Sequence, residues 1–355
     1  MDARPVPAGQ RAGVLTRPLF ALLLAVALAA CGNAAVATPT QAPTPSAQAI
    51  ATATPAATPT PTPAPTATPL FPVTLEDDEQ GTAVVKQEPR TIISLTPAAT
   101  ETLFALGVGD RVKGKVEDFT PYPPEAAKVP DVAKFGSVDV EKIVSLQPDL
   151  VIAGGDNFNP PAAIAQLRQL GVPVLVVFAP DLKTTIADID LIGRAVGKVD
   201  EAAAISGEIQ QAFDDVAAAT ASQDKPRVYY ELDASNGLYG PAPDYFGTGM
   251  IQLAGGDPLT TGQDGVYQLQ AEQVLAFDPQ VILLGDAAYG VTADQVKARP
   301  GWKDVTAVKN GAIRPIDDVI VTRPGPRLDD GIRTLALAIH PDLVLPSAPP
   351  ASAAP

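Results

Sequence analysis

The sequence predicts an α/β protein of two Rossmann-like lobes with mainly parallel sheets, joined by a single long helix, with a ligand cleft between the lobes. The first observation is an internal repeat: VDVEKIVSLQPDLVI at 138–152 and LQAEQVLAFDPQVIL at 269–283 each pass from a short amphipathic helix through a proline into a β-branched strand. The second is the alternation of strands with helices elsewhere, which is typical of parallel sheets. The third is a strand-free helical stretch over 182–221, between the repeats.

The N-terminal lobe is predicted over residues 89–199. Its short apolar runs predict strands at 91–95, 112–116, 150–153 and 174–178, and its amphipathic runs predict helices at 98–106, 138–147 and 161–170. Asp139 has the residue type that caps a helix N-terminus, and Gly107 stands where glycine ends a helix. Each predicted helix therefore lies between two predicted strands, as in an α/β unit.

A break near Gly197 is expected before the connecting helix, which is predicted over 200–222. The C-terminal lobe is predicted over 226–345, with strands at 227–232, 281–284 and 312–316 and helices around 249–254, 271–277 and 324–339. A helical connector resists bending more than crossing strands do. We therefore expect small rather than large hinge closure on ligand binding.

The first 30 residues have the pattern of a bacterial lipoprotein signal peptide. A basic segment precedes the apolar run LFALLLAVALAA at 19–30, which is too short to span a bilayer, and the run ends at Cys31. Lipidation of Cys31 is expected to anchor the exported chain to the outer face of the cytoplasmic membrane. Residues 31–75 then form an Ala/Thr/Pro-rich linker, and 346–355 form a similar disordered tail.

Composition excludes several classes of function. The net charge is −15 without any run of Lys or Arg, so nucleic acid is not an expected partner. One His and one Cys cannot build a Cys/His metal cage, and no G-x-S-x-G nucleophile motif is present. No catalytic residue, metal site or resident cofactor is predicted.

Aromatic and polar residues stand in the predicted loops that follow strands, where open α/β sheets bind ligands. Aromatic rings suit planar or macrocyclic ligands, and arginine suits a carboxylate or phosphate edge. We expect Arg323, in an exposed loop, to be the strongest single candidate. The other residues that stand out in these loops are Phe119, Tyr122, Phe135, Asn157, Phe158, Tyr239, Tyr245 and Tyr267. Of these, Phe119, Phe135, Asn157, Tyr239 and Tyr267 are the predicted ligand contacts.

Several segments together resemble the substrate-binding lipoproteins of ABC importers for cobalamin, haem and ferric siderophores. These segments are RTIISLTPAATE at 90–101, FALGVGDRVKG at 104–114, YPPEA at 122–126, the repeat at 138–152, LAGG at 253–256 and RPGPR at 323–327. The resemblance covers about 89–345. It implies two α/β lobes joined by one long helix, in agreement with the pattern above.

The resemblance also implies partners and further site residues. An acidic residue on each lobe, here Glu141 and Asp257, would dock onto an ABC permease that works with its ATPase. In corrinoid-binding members the ligand is contacted at the positions of Pro97, Phe119, Phe135, Tyr267 and Arg323. A haem or a ferric chelate stays open as the ligand. The protein is expected to act as a monomer.

Two other classes stay open on the residues themselves. A cell-envelope hydrolase could use a carboxylate pair that no motif marks, and it would turn over a substrate. A structural or adhesive surface lipoprotein would use the stalk and lobes without binding any small molecule. Binding of a small ligand without turnover separates the receptor from both.

Overall fold

The computed structural model describes residues 70–156 and 158–346. The described chain begins with a β-hairpin, β1 (Val73–Glu76) and β2 (Thr82–Val85), whose inward side chain Leu75 is buried in the core of the first lobe. The predicted linker was drawn to 75 and the folded part from 89, so this hairpin corrects both boundaries. Thr74 and Glu76 point to solvent, so only alternate side chains of β1 are buried. Because this short strand directly follows a Pro/Thr-rich segment, the sequence pattern did not predict it.

The N-terminal lobe contains a six-stranded sheet in the order β6-β5-β4-β3-β7-β8, parallel except for the edge strand β6. Short β-branched and leucine-rich runs form its central strands and are buried on both faces, as parallel sheets require. The six strands are β3 (Ile92–Ser94), β4 (Val112–Val116), β5 (Asp131–Lys134), β6 (Ser137–Val138), β7 (Leu150–Ala153) and β8 (Val174–Val176).

Helices α1 (Pro97–Ala105), α2 (Val140–Ser145) and α3 (Pro161–Gln169) connect these strands. Thr96 caps α1 by accepting a hydrogen bond from the Ala99 amide. The predicted cap Asp139 accepts one from Lys142 in the same way, which confirms that prediction. These caps fix where each strand-to-helix loop turns.

Two long helices lead from the first lobe to the second. Helix α4 (Leu182–Val196) ends at Gly197, whose φ of 75° provides the left-handed turn that stops it, so the predicted break is confirmed. Helix α5 (Val199–Thr220) then runs for 22 residues, about 33 Å at the usual helical rise. It lies where the connecting helix was predicted.

The C-terminal lobe contains a four-stranded parallel sheet in the order β11-β9-β13-β14, together with a small antiparallel ribbon of β10 and β12. The strands are β9 (Arg227–Glu231), β10 (Leu238–Tyr239), β11 (Asp257–Pro258), β12 (Gln268–Leu269), β13 (Val281–Leu284) and β14 (Ile313–Pro315). The helices are α6 (Phe246–Leu253), α7 (Ala271–Phe277), α8 (Ala293–Lys297), α9 (Thr306–Lys309), α10 (Asp318–Thr322) and α11 (Leu328–Ile339). The predicted helix over 324–339 was too long, because residues 323–327 form a turn before α11 begins.

The internal repeat is a structural repeat. In the first copy α2 leads into β7, and in the second α7 leads into β13, which is likewise an inner strand of its sheet. Gln147 and Asp278 both adopt positive φ, 51° and 48°, immediately before Pro148 and Pro279. In each unit the helix is therefore followed by a residue in the left-handed conformation and then by a proline.

Three buried clusters hold the molecule together. One lies on the outer face of each sheet, and the third runs from Ile92 in the first lobe through Ile209 and Phe213 of α5 to Val228 in the second. Because this third core is continuous across both lobes, bending between them would disturb close-packed side chains. In the described ranges no helix has both the length and the apolar character needed to cross a membrane.

Candidate ligand-binding cleft

A cleft of about 660 Å³ lies between the lobes. Its N-terminal wall comes from the loops that follow β3, β5, β7 and β8, at the carboxyl ends of those strands. Its C-terminal wall comes from the start of α6, from the loop before β12 and from the end of α10. The cleft thus lies where the strand order places a ligand crevice.

The N-terminal wall is a row of phenylalanines. Phe135 and Phe158 meet edge to face with ring centres 6.0 Å apart, and Phe158 lies 6.5 Å from Phe178. Phe135 is 77% exposed, so its ring stands out from the wall toward the mouth of the cleft. Such a row presents apolar ring surface to a ligand.

The C-terminal wall carries tyrosines in place of phenylalanines. Tyr245 and Tyr267 meet edge to face at 5.8 Å. Burial raises the pKa of both phenols above the usual value, with nearby Asp318 adding to the shift at Tyr245 and Asp244 at Tyr267. Both side chains are therefore neutral phenols at physiological pH and act as hydrogen-bond donors or acceptors.

Arg323 lines the cleft, but it is not in an exposed loop as predicted. Its guanidinium donates to Glu101 Oε1 at 2.5 Å and to both carboxylate oxygens of Asp118 at 3.1 and 3.2 Å. Arg327 donates to both oxygens of the same Glu101 at 3.0 and 2.8 Å and stacks over Tyr122. We call Glu101, Asp118, Arg323 and Arg327 the inter-lobe ion cluster, and its two cations balance its two anions.

This cluster joins the lobes, because both carboxylates belong to the first lobe and both arginines to the second. Glu101 is only 2% exposed, so it has exchanged water for the two guanidinium groups. Among the described residues Arg323 is the only cationic side chain that lines the cleft. The cleft therefore offers a ligand no uncompensated positive charge from those residues.

Asp188 of α4 lies in the cleft lining and is 8% exposed. Burial, reinforced by the neighbouring Asp78 carboxylate and a hydrogen bond with it, raises the pKa of Asp188 to about 8. Asp188 is therefore largely protonated at neutral pH. It presents a carboxylic acid, not an anion, beside Ile189 and Ile192.

Four predicted contact residues, Pro97, Phe135, Tyr267 and Arg323, line the cleft. Phe119 and Tyr239 do not. Phe119 is 88% exposed, because the loop after β4 turns the adjacent Asp118 inward to Arg323. Tyr239 belongs to the ribbon strand β10, and Asn157 lies outside the described residues, as do Cys31, the signal peptide, most of the linker and the tail after 346.

Phe158 and Tyr245, which stood out as loop aromatics but were not among the predicted ligand contacts, also line the cleft. Phe178 was missed, although it ends an apolar strand in the sequence. Asp188 gave no signal, because it reads as one polar position of an amphipathic helix. Thr96 and Gly154 approach each other so closely at the cleft floor that a Cβ on Gly154 would lie 2.2 Å from the Thr96 methyl carbon.

The two predicted docking acids are both exposed: Glu141 in the first turn of α2, and Asp257 at the start of β11. Two residues of types that can bind iron, His340 and Met250, do not line the cleft. His340 follows the end of α11, with its Nε2 3.2 Å from the Gly255 carbonyl oxygen, and Met250 is buried in α6. Trp302 is buried against Tyr229 and Arg299, away from the cleft lining.

Comparison with known proteins agrees with this architecture. An ABC transporter substrate-binding lipoprotein of Bacillus subtilis (strain 168), YvrC, itself uncharacterized, is 35% identical over 280 residues, which are 78% of this chain and 88% of that protein. The periplasmic vitamin B12-binding protein BtuF of Vibrio cholerae is 27% identical with a TM-score of 0.63, over 71% of this chain and 97% of the other. The periplasmic heme-binding protein RhuT from Roseiflexus sp. RS-1 is also 27% identical, with a TM-score of 0.62 over 71% and 98%.

The family described as periplasmic binding protein matches residues 92–319, which begin in β3 and reach α10. That range contains both repeat units, the long helix α5 and most of the residues that line the cleft. The fold and the relatives thus agree with the two-lobed receptor predicted from the sequence. The chain belongs to the periplasmic binding protein family and is a substrate-binding protein of an ABC transporter.

Proposed function

We propose that this protein captures a corrinoid, a planar macrocycle with amide side chains, and delivers it to an ABC permease. The observation that carries the proposal is the pair of unlike aromatic walls across a cleft whose only described lining cation is already neutralised. One wall offers phenyl faces and the other offers neutral phenols. Together they match a ligand with an extended apolar ring and uncharged polar arms.

The charge of the cleft separates the candidate ligands. A haem carries two propionate carboxylates, and their burial requires cations or several hydrogen-bond donors. Arg323 already serves Glu101 and Asp118, so binding a propionate there would leave a buried carboxylate without its partner. The amides of a corrinoid need only hydrogen bonds, which Tyr245, Tyr267 and protonated Asp188 are placed to make.

The raised tyrosine pKa values also disfavour an iron ligand. A tyrosine binds ferric iron as the phenolate, and burial and nearby carboxylates oppose that form at Tyr245 and Tyr267. In the described chain no group of three or more His, Cys, Asp or Glu side chains is placed to hold a metal ion. The vitamin B12-binding relative supports the same choice of ligand, whereas the heme-binding relative supports the alternative.

Calorimetric titration of the full-length protein in detergent tests the ligand class. Cyanocobalamin, haemin and a ferric trihydroxamate are titrated in parallel. We expect one-to-one binding of cyanocobalamin with a Kd of roughly a micromolar or below, and at least tenfold weaker binding of the other two. Tighter binding of haemin, or no heat with cyanocobalamin, would refute the corrinoid proposal.

The same proposal includes anchoring and docking. Lipid on Cys31 would hold the protein at the outer face of the cytoplasmic membrane. The linker would let the two-lobed monomer reach the permease. Glu141 and Asp257 would contact basic residues of the permease, one from each lobe. Their exposed carboxylates, outside the cleft lining, support this assignment.

Replacing both docking acids with alanine should leave ligand affinity unchanged but reduce uptake by cells at least tenfold. Glu272→Ala is the matched control, because Glu272 is exposed in α7 at the repeat position of Glu141. Uptake is measured with labelled cyanocobalamin. Equal uptake by the double variant and the control would remove the docking assignment.

A further inference from the structure

The turn between β1 and β2, residues Asp77–Gly81, lies against the back of the phenylalanine wall. We call it the acidic turn, because three carboxylates follow one another at its start. Its carboxylates lie against four segments that the chain reaches much later: the loop after β7, α3, the end of β8 and α4. The three carboxylates make different contacts with these segments.

Asp77 holds the turn in place. Its side chain is fully buried and accepts from the Val176 amide of β8 at 3.2 Å and from Arg168 of α3 at 2.6 Å. It also accepts from the Gly81 amide at 2.6 Å, which closes the turn. Asp77 is therefore a structural residue of the N-terminal lobe.

Asp78 reaches the cleft wall itself. Its Oδ2 accepts from the backbone amide of Phe178 at 2.5 Å, and its own amide donates to the Val176 carbonyl at 3.2 Å. Its carboxylate also lies near that of Asp188, a second lining residue of the cleft, and raises the pKa of Asp188. One carboxylate thus contacts both Phe178 and Asp188 from behind the wall.

Glu79 holds the neighbouring loop. Its Oε1 accepts from the Asp156 amide at 3.1 Å and lies close over Gly155, whose positive φ of 71° starts the turn. The Gly155 carbonyl in turn accepts from the amides of Phe158 and Asn159 at 3.0 and 2.9 Å. The direction of the Phe158 ring therefore depends on a loop that Glu79 fixes.

We propose that Asp78 and Glu79 of the acidic turn are positioning residues of the ligand cleft, which set the rings of Phe178 and Phe158 for binding. Neither side chain lines the cleft, so they act through the wall and not on the ligand. The inference rests on the proposed function for its affinity readout alone. The order of the wall without ligand is a separate readout.

The test compares Asp78→Ala, Asp78→Asn and Glu79→Ala with the control Glu76→Gln in the full-length protein. Glu76 is an exposed acid on β1 of the same hairpin, so its change removes equal charge. Asn keeps a carbonyl acceptor for the Phe178 amide and should rescue Asp78, whereas Ala cannot. Glu79→Ala removes one exposed hydrogen bond and keeps the test valid where Asp78→Ala impairs folding.

Amide exchange without ligand is measured by mass spectrometry over 154–160 and 176–180. We expect Asp78→Ala to speed exchange in the second segment and Glu79→Ala in the first, each at least fivefold, with Asp78→Asn and Glu76→Gln near wild type. Unchanged exchange in both wall segments would overturn the proposal. A loosening spread over the whole lobe would also overturn it, because that result indicates a merely structural role.

Titration with cyanocobalamin is the second arm. The two alanine variants should weaken Kd about five- to tenfold, and the asparagine and Glu76 variants less than twofold. Local loosening with unchanged affinity would overturn the positioning role. A wild-type protein that binds no cyanocobalamin refutes the proposed ligand instead, and the exchange arm alone then decides whether the turn orders the wall.

Discussion

The two walls of the cleft belong to equivalent α/β lobes, yet one wall is apolar and the other carries polar hydroxyl groups. In the first lobe Phe135, Phe158 and Phe178 form the wall, and carboxylates of the acidic turn hold its backbone from behind. In the second lobe the wall is Tyr245 and Tyr267, and the half-buried Asp318 lies near Tyr245. The repeated scaffold therefore fixes where a wall stands, and the loops after each strand decide its chemistry.

Two acids of the second lobe, Asp318 and Asp286, differ in whether they have a hydrogen-bond partner among the described residues. Asp318 bonds to the hydroxyl of buried Tyr230, and burial raises its pKa. Asp286 is 3% exposed and neither of its oxygens has a hydrogen-bond partner in the described chain. Burial first, and nearby Glu231 second, raise its pKa to about 6. The first lobe uses carboxylates to hold backbone, whereas in the second lobe Asp318 bonds to a tyrosine hydroxyl and Asp286 is buried without a hydrogen-bond partner among the described residues.

The largest expected effect comes from removing the joint between the lobes. Glu101→Gln leaves two guanidinium groups facing a neutral amide in a buried place, so the free energy of unfolding should fall by about 3–5 kcal/mol. Chemical denaturation measures it, with the exposed Glu125→Gln of the same lobe as control. A loss below about 1 kcal/mol would show that the inter-lobe ion cluster does not hold the lobes together.

A smaller effect is expected at Asp188, and it depends on pH. The folded-state pKa of about 8 lies above the unfolded value, so the folded protein holds an extra proton between the two. Stability should therefore fall as pH rises from about 4 to 8. Asp188→Asn should remove part of this loss of stability. The free energy of unfolding of the variant should exceed that of the wild type by roughly 1–2 kcal/mol at pH 8 and equal it at pH 4.

Thermal or chemical unfolding at several pH values checks this prediction. Asp224→Asn is the control, because Asp224 is exposed in the loop before β9 and has no hydrogen bond from its side chain among the described residues. Equal pH profiles for wild type and Asp188→Asn would mean that the folded and unfolded pKa values of Asp188 agree.

The smallest effects concern the two walls themselves. Phe158→Ala removes a ring held between Phe135 and Phe178, so it should weaken cyanocobalamin binding about tenfold. Tyr267→Phe removes only one hydroxyl group, so it should weaken binding about two- to threefold. Titration measures both, with Tyr289→Phe as control, since Tyr289 is exposed outside the cleft. The reverse order of effects would place the main ligand contact on the polar wall.

Much of the architecture was predictable because it is encoded locally. The Gln147–Pro148 and Asp278–Pro279 steps, the cap Asp139 and the helix end at Gly197 each act within a few residues. Phe135 and Tyr267 were predicted to line the cleft because each stands in a loop between elements that local sequence patterns predict.

Contacts between distant segments were not predictable. Glu101 reads as one surface position of α1 until its partners, more than 220 residues later, are known. Arg323 was therefore taken as a free cation. The hairpin was missed because strand β1 continues a Pro/Thr-rich segment, and because the turn after β1 is held by bonds to β8 and Phe178, far along the chain.

The hairpin also constrains the order in which the first lobe can be completed. Asp77 and Asp78 bond to amides 99 and 100 positions further along the chain, so the turn of the hairpin has no partners until β8 has joined the sheet. Until then Leu75 has no finished core beneath it, and the edge of the hairpin stays open to pairing with other chains. Chaperones would therefore be needed to keep the open hairpin edge from pairing until about a hundred further residues have followed it. A chain cut short before Phe178 should aggregate instead of folding as a smaller lobe.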